Sequence, residues 1–260
     1  MKLNIEKIYD ESYVLVDGHR GVHARFPQNT LLSFGKAIEL GVDMIEFDVN
    51  MTADGVPVVI HNNTVDDTTN GTGAVRSFTL KQLKALDAGC RFGDGSFAGQ
   101  GLTIPTLEEL ADFCLPHDLL LNCEIKDYNV DCMDETLRVL SSFPGLMERM
   151  VFTCFDGAVL SYLKEEYGVK CNGFAHSVMT NFTQGKYGTY HVMDAVSLFG
   201  DDVNRQTADF FEDFGILCWG SHAESAEIVQ QQLDAGMRLV TCDDASAALT
   251  YLTEKGLHTR

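Results

Sequence analysis

The sequence predicts an α/β protein built as a single (β/α)8 TIM barrel with a small insertion after the third strand. The length of 260 residues is close to the roughly 250 residues that such barrels commonly have. Short β-branched segments alternate with segments of helical periodicity, which is typical of a parallel sheet made of β-α-β units. Neither a linker nor a repeat of about 20–50 residues divides the chain, so we expect residues 1–260 to form one domain.

Turn and capping residues mark where the predicted elements begin and end. A helix over residues 30–40 ends at Gly41, and the turn Ala53-Asp54-Gly55 joins two strands. Thr106 and Glu109 have the spacing of a capping box and begin a later helix. The predicted strands are Val14–Val16, Asp43–Val49, Val56–Ile60, Leu119–Ile125, Met150–Cys154, Val169–Ala175, Ala195–Phe199, Gly215–Trp219 and Arg238–Cys242.

These strands number nine, and a closed eightfold barrel holds eight. We expect Ala195–Phe199 to be the short or irregular one. Residues 62–103 are dense in glycine and contain only one short predicted helix, around Leu80–Leu86. Because this segment is too long for a routine connection, we expect it to be an insertion that lies over the site.

Composition and charge exclude several classes of protein. The 38 acidic and 19 basic residues leave a formal net charge of −19, so we expect no nucleic-acid partner. We expect no stable membrane insertion, since the chain has no run of about 18 apolar residues. Glu6 and Asp10 interrupt the start of the chain, where a secretion signal needs an apolar stretch, and the eight cysteines form no C-x-x-C pair. We therefore expect a cytoplasmic protein, and no feature of the sequence predicts an oligomeric state.

Charged side chains gather at the ends of the first predicted strands, where the chemistry of such barrels takes place. Glu46 and Asp48 are two residues apart on one strand and therefore face the same side, as do Glu124 and Lys126. Three converging carboxylates cannot all stay ionised without a counter-charge. Proton sharing could relieve part of this repulsion, but a cation with oxygen ligands relieves it better. The set contains no cysteine or paired histidine, so Mg²⁺ or Ca²⁺ is favoured over zinc.

Two histidines, His19 and His61, stand at neighbouring strand ends. Their reference pKa of about 6.5 suits an acid–base pair working at neutral pH. Arg20 and Lys126 add positive charge, which suits a phosphate group. Each residue alone has an ordinary structural explanation, such as a core histidine or a solvated strand face. Their joint placement favours a metal, a phosphate and two imidazoles in one site, which indicates phosphodiester cleavage.

These residues also lie in motifs that resemble one known family, the glycerophosphodiester phosphodiesterases. The resemblance is strong over residues 18–126 and weak beyond them. The motifs are Gly18-His19-Arg20-Gly21, Pro27-Gln28-Asn29-Thr30, Ile45-Glu46-Phe47-Asp48-Val49, Val58-Val59-Ile60-His61, Ile104-Pro105-Thr106-Leu107-Glu108-Glu109 and Glu124-Ile125-Lys126.

The resemblance implies roles for these residues. A metal would be held by Glu46, Asp48 and Glu124, and the general acid–base pair would be His19 and His61. The phosphate would be bound by Arg20 and Lys126. Such enzymes split glycerophosphodiesters into glycerol 3-phosphate and an alcohol, and residues 62–103 would correspond to the insertion that covers their pocket.

One further residue and two alternatives complete the predictions. Trp219 is a candidate contact for glycerol or the leaving alcohol, with core packing as the other interpretation. A lysophospholipid could be the substrate instead, which requires an apolar groove near the pocket. A non-catalytic barrel that binds phosphorylated ligands is the other alternative. It is suggested by Gln28, Asn62 and Gly220, which stand where the family usually has Glu, Asp and Thr.

Overall fold

The computed structural model describes Leu3, Asp10, residues 12–185 and residues 187–259. Most of the first ten residues, on which the expectation of a cytoplasmic protein partly rests, lie outside this description. The described strands are β1 Leu15–Gly18, β2 Met44–Met51, β3 Pro57–Val59, β4 Leu120–Ile125, β5 Met150–Thr153, β6 Cys171–Phe174, β7 Ala195–Leu198, β8 Leu217–Ser221 and β9 Leu239–Cys242. The described α-helices are α1 Leu31–Leu40, α2 Leu80–Leu83, α3 Leu107–Cys114, α4 Val130–Ser141, α5 Gly157–Tyr167, α6 Arg205–Glu212, α7 Ala226–Asp234 and α8 Ser246–Glu254. A search of these residues finds no helix with the length and apolar character that crossing a membrane requires.

Eight of the described strands close into a parallel barrel. The strands follow the order β1-β2-β4-β5-β6-β7-β8-β9, and β9 pairs again with β1. Helices between the strands cover the outside, where the largest apolar cluster joins strand residues such as Phe47 and Phe152 to helix residues such as Phe34. The predicted (β/α)8 barrel is therefore confirmed.

The strand that lies outside the eight-stranded barrel is β3 and not β7. β3 pairs antiparallel with β2, with Val59 opposite Val49 and Pro57 opposite Met51. The connection between them, residues 52–56, is too short for a parallel crossover, which needs about a dozen residues or more. β7 pairs in parallel with both β6 and β8. The expectation that Ala195–Phe199 would be the irregular strand is therefore wrong.

Inward-facing side chains change from apolar to polar along the barrel axis. The lower layer is an apolar cluster that includes Leu15, Met44, Leu120, Val151, Ala195, Trp219 and Leu239. The next inward layer is polar or acidic, and hydrogen bonds link several of its members: Asp17, Glu46, Asn122, Thr153, Asn172, Ser197, Ser221 and Thr241. Because inward positions recur every second residue, the next layer brings charged groups to the carboxyl ends of the strands. This polarity gradient places the candidate site at that end.

Helix ends follow the capping patterns of the sequence. The Thr106 hydroxyl accepts from the Glu109 backbone N–H, and the Glu109 carboxylate accepts from that of Thr106, which confirms the capping box. Helix α1 begins after Thr30 and ends at Gly41, which has a φ of 91°. These caps fix the helices that pack against β1, β2 and β3.

Residues 62–103 pack beside β3 around an apolar cluster of their own. Val65, Val75 and Leu83 from this segment contact Val58 and Ile60 of the hairpin. Its first residues, 62 and 63, continue directly from the end of that hairpin. That the segment covers the site stays a prediction.

A buried hydrogen bond joins His258, after the last described helix, to the lower end of the barrel. Nε2 of His258 lies 3.0 Å from Oδ2 of Asp43, which also accepts from the Val16 backbone N–H at 2.9 Å. We expect His258→Ala to lower the free energy of unfolding by about 2 kcal/mol, because the buried carboxylate loses a hydrogen-bond partner. Urea denaturation measures this change. His191→Ala, at an exposed position, is the control and should change stability by less than about 0.5 kcal/mol.

Candidate active site

Three carboxylates converge at the mouth of the barrel. Glu46 and Asp48 come from β2 and Glu124 from β4, and the register places Asp48 directly opposite Glu124. They are 4%, 0% and 6% exposed respectively, and one oxygen from each lies within 4.8 Å of the others. Oε1 of Glu46 has no hydrogen-bond partner, and Oδ1 of Asp48 has only the Lys126 ammonium, at 3.4 Å. Buried carboxylate oxygens with so few partners, at this spacing, fit a divalent cation that prefers oxygen ligands.

The pKa values of the three crowded carboxyls shift in different directions. Burial and the charge of Asp48 raise the pKa of Glu46 well above its usual range. The same two causes raise the pKa of Glu124 to about 7. Burial also acts to raise the pKa of Asp48, but Arg20 and Lys126 outweigh it and the net pKa is lowered. Asp48 is therefore the ionised member of the set, and a cation would compete with protons for the other two.

Two basic side chains pair with the carboxylates and line the same cavity. Nε of Arg20 lies 3.2 Å from Oδ2 of Asp48. Nζ of Lys126 lies 2.5 Å from Oε1 of Glu124 and 3.4 Å from Oδ1 of Asp48. Burial acts to lower the pKa of Lys126, but the two carboxylates outweigh it and raise the net pKa. Both cations therefore stay charged within reach of a bound anion.

His19 follows β1 and is oriented by a residue that follows β9. Its Nδ1 lies 2.7 Å from Oδ1 of Asp243, and its Nε2 lies 3.9 Å from Oε2 of Glu46. Burial lowers the pKa of His19, while the hydrogen bond to Asp243 acts in the opposite direction. The carboxylate fixes the ring so that Nε2 faces the cluster of acidic groups.

His61 reaches the same mouth because β3 folds back beside β2. The Ile60 backbone N–H donates to the Asp48 carbonyl at 3.0 Å, which returns the chain to the level of the carboxylates. Nδ1 of His61 lies 2.5 Å from Oδ1 of Asn62, whose Nδ2 donates to Asp67. Because Nδ2 of Asn62 is turned toward Asp67, its Oδ1 faces His61 and can only accept a hydrogen bond. Nδ1 of His61 therefore carries the ring proton, and Nε2 is an acceptor. Burial is the main cause that lowers the pKa of His61 to about 4, and the ring is neutral at pH 7.

Two cavities meet at His61 and Lys126. The inner cavity, about 290 Å³, has an aromatic wall of Phe155, Phe174 and Phe199. Its other lining residues are His19, Arg20, Glu46, His61, Asn122, Glu124, Lys126, Thr153, Asn172, Ser197, Ser221, His222 and Thr241. The outer cavity, about 420 Å³, is lined by His61, Asn62, Asn63, Lys126, Asp127, Tyr128 and Asn129. A molecule with two arms joined at a central phosphate suits this arrangement.

The structure brings together seven of the eight predicted site residues and places Trp219 elsewhere. Trp219 is 1% exposed and packs with Leu15 and Met44 in the lower layer of the barrel. Ser221, two residues further along the same strand, lines the inner cavity. The prediction that Trp219 contacts substrate is therefore corrected to core packing, because its inward position lies one layer too deep.

Asp243 and the aromatic wall were not predicted as parts of the site. The alternation along β9, which points Leu239, Thr241 and Asp243 inward, is the signal that finds Asp243. The same alternation finds Phe174 at the end of β6, and it finds Phe155 and Phe199 just past the ends of β5 and β7. Their apolar character made them look like ordinary core residues.

Comparison with known proteins decides the family. Residues 19–246 match the model of the glycerophosphoryl diester phosphodiesterase family. The chain belongs to this family. One curated member, a glycerophosphodiester phosphodiesterase of Caldanaerobacter subterraneus, is 45% identical over 137 residues, which are 53% of this chain and 51% of that protein. The chain thus spans about half the length of the curated relatives it matches.

Solved structures support the fold of this glycerophosphoryl diester phosphodiesterase family member. A phosphodiesterase from Oleispira antarctica in complex with the product sn-glycerol-3-phosphate has a TM-score of 0.81 and 22% identity, covering 92% of this chain and 96% of that one. A glycerophosphodiester phosphodiesterase from Agrobacterium tumefaciens has a TM-score of 0.74 and 21% identity, covering 90% of this chain and 98% of that one. At this level of identity, both comparisons establish the barrel alone.

Three departures from the family pattern have local explanations in this family member. Gln28 accepts a hydrogen bond from Nη1 of Arg20 at 2.8 Å, so the amide still orients the guanidinium. Asn62 takes the same position toward His61 that a carboxylate would. A Cβ on Gly220 would lie 2.1 Å from Oε1 of Gln232, so the family's threonine does not fit beside this side chain.

Proposed function

We propose that the protein hydrolyses glycerophosphodiesters to glycerol 3-phosphate and an alcohol, using one divalent cation, Mg²⁺ or Ca²⁺. The observation that carries this proposal is the cluster of Glu46, Asp48 and Glu124, two of which line the same cavity as His19 and His61. The family match and the product named with the Oleispira antarctica structure support the substrate class.

The cation would be held by the three carboxylates, whose oxygens are all hard ligands and include the unpartnered Oε1 of Glu46. When bound, it would supply a Lewis acid that offsets charge on the phosphoryl oxygens. Arg20 and Lys126 reach the inner cavity from the same side and would bind the phosphate directly.

The two histidines have different partners, which assigns them different roles. His61 is neutral with a free Nε2, so it would remove the proton from the attacking hydroxyl. His19 is backed by the Asp243 carboxylate, which stabilises an imidazolium, so it would donate a proton to the departing oxygen. Asn62 and Asp243 are positioning residues in this scheme.

Replacing Asn62 by aspartate should shift the acidic limb of the kcat/KM profile to higher pH. A carboxylate against Nδ1 stabilises the imidazolium of His61 and raises its pKa, so the base becomes protonated at a higher pH. We expect a shift of about 1 pH unit or more. A full pH–rate profile of both proteins measures it, and an unchanged acidic limb would remove His61 from the role of base.

A turnover screen tests the function itself. Protein stripped with EDTA and then supplied with Mg²⁺ or Ca²⁺ is assayed on glycerophosphocholine, glycerophosphoethanolamine and bis(p-nitrophenyl) phosphate. We expect activity only with the cation, and release of glycerol 3-phosphate from the first two substrates. A gain in thermal stability from a diester that is not consumed would indicate a binding protein instead.

A lysophospholipid is the second candidate substrate. Phe155 and Phe174 stack with ring centroids 3.5 Å apart, and Phe199 lies beside them. This wall gives the inner cavity one apolar side that could accept an acyl chain. Adding lysophosphatidylcholine to the screen distinguishes the two, since release of choline would favour this candidate.

We also propose that residues 1–260 act as one unit with residues 62–103 over the site, in the cytoplasm. Asn62 and Asn63 of this segment line the outer cavity, and its Arg76 pairs with Asp127 of the same cavity. The eight cysteines are free and seven are buried, which suits a reducing compartment. Glycerophosphodiesters are small molecules, and the cavity sizes are consistent with such a partner.

A further inference from the structure

We propose that His19, His23 and Asp243 form a second cation site, specific for a transition-metal ion such as Zn²⁺. The site lies beside the carboxylate cluster and shares none of its residues. Each residue offers one ligand atom within 4.8 Å of the other two. Nδ1 of His19 and Nε2 of His23 each lie 2.7 Å from Oδ1 of Asp243. The inference goes beyond the proposed hydrolysis.

His23 supplies the observation that points to a ligand. Its Nε2 is buried and lies 2.7 Å from Oδ1 of Asp243, the same oxygen that Nδ1 of His19 faces. The two imidazole rings meet edge to face with centroids 4.9 Å apart. Two nitrogen atoms and one oxygen therefore converge on one point, and a single carboxylate oxygen serves both nitrogens.

Backbone hydrogen bonds hold all three residues in place. The His19 N–H donates to the Cys242 carbonyl at 2.9 Å, and the Ala24 N–H donates to the Asp243 carbonyl at 3.1 Å. The Asp243 N–H donates to Oε1 of Glu224 at 2.7 Å. The loop after β1 is thus fastened to the end of β9, so the ligands are preorganised before any ion arrives.

The ligand types separate this site from the carboxylate cluster. Imidazole nitrogen suits Zn²⁺ and similar ions, whereas carboxylate oxygens alone suit Mg²⁺ or Ca²⁺. Three protein ligands leave the fourth position of a tetrahedral zinc site for water. The side chains of His19, His23 and Asp243 are only partly buried, at 21%, 24% and 28% exposed.

Zinc at this site would inhibit the proposed reaction through His19. Binding of Zn²⁺ to Nδ1 of the imidazolium form displaces the proton that this nitrogen shares with Asp243 and releases it to solvent. The remaining ring proton then sits on Nε2 of a neutral, metal-bound imidazole. That group is a weaker acid than imidazolium and has no lone pair for use as a base, so either role of His19 is blocked.

Zinc retention in the presence of excess Mg²⁺ tests the site without reference to activity. Full-length protein and His23→Gln are dialysed against Zn²⁺ with Mg²⁺ saturating, and bound zinc is counted by elemental analysis. We expect about one zinc per wild-type chain and at least about tenfold weaker retention by His23→Gln. Inhibition by Zn²⁺ should weaken by the same factor, while turnover without zinc stays within about twofold of wild type.

His191→Gln is the matched control, because this exposed histidine lies outside both sites. It should retain zinc and be inhibited as the wild type is. Equal zinc retention by wild type and His23→Gln, or complete displacement of zinc by Mg²⁺, would overturn the proposal. A wild-type protein that cleaves no diester would refute the proposed function, and zinc retention would still decide this site.

Discussion

Replacing His61 by alanine is expected to lower kcat by about 10²- to 10⁴-fold, the usual contribution of a general acid or base. The Nε2 of this neutral ring is the acceptor that faces the inner cavity, and alanine leaves no group to take its place. KM should change little, because Arg20, Lys126 and the carboxylates are untouched. Steady-state kinetics on glycerophosphocholine measure both parameters.

His19→Ala should show a loss of similar size, and the double variant should lose little more than either single one. The effects of residues that act in one step are strongly non-additive, so a double variant that loses the product of the two single losses would indicate that the histidines act in separate steps. His117→Ala, on the loop between α3 and β4, is the control and should keep wild-type turnover. Near-wild-type turnover by both single variants, with unchanged melting temperatures, would contradict the mechanism.

A divalent cation is expected to raise the melting temperature far more at pH 8 than at pH 5. Burial and Asp48 raise the pKa of Glu124 to about 7, so its carboxyl is protonated at pH 5 and ionised at pH 8. At pH 5 the cation has to displace a proton, which weakens its binding. With the cation about 100-fold above its Kd at pH 8, we expect a rise of about 5–10 °C, and less than half of that at pH 5.

The raised pKa of Glu124 also determines how the stability of the metal-free protein changes with pH. In the metal-free protein, Glu124 stabilises the fold fully below the unfolded value of 4.5 and loses that contribution as the pH rises through about 7. The cation restores stability in the range where the carboxylates repel one another. Differential scanning fluorimetry at both pH values, with EDTA as the reference, measures the effect.

Glu46→Gln is the control for this prediction. It keeps the shape of the side chain but removes a ligand charge, so the cation should shift its melting temperature much less. Its metal-free melting temperature at pH 8 should not fall below that of the wild type, because one buried like charge is gone. A cation shift that is equal in both proteins would place the ion outside the carboxylate cluster.

Much of the site could be predicted because the direction of a side chain on a strand depends only on its position along that strand. Glu46 with Asp48, and Glu124 with Lys126, are pairs two residues apart, and this spacing alone places both members on one face. The parallel register then brings Asp48 opposite Glu124. Helix caps such as the one at Thr106 are equally local and were predicted correctly.

Other features depend on information that no local pattern contains. The turn Ala53-Asp54-Gly55 was identified, but its consequence, an antiparallel β3 outside the barrel, requires knowing which strand β2 pairs with next. The alternation of inward and outward side chains along β8 shows that Trp219 faces the barrel interior. It does not show how far Trp219 lies below the cavity. The contact between His19 and Asp243 joins residues 224 positions apart, which only closure of the barrel brings together.

That closure has a consequence for a chain made from its N-terminus. The carboxylates of the cluster and both histidines are synthesised before residue 125, whereas Asp243 follows β9, which comes last among the described strands. A nascent chain therefore carries most of its reactive groups long before β9 can dock against β1 and orient His19. The ability to cleave a diester should appear late and abruptly during translation, once residue 243 has cleared the ribosome.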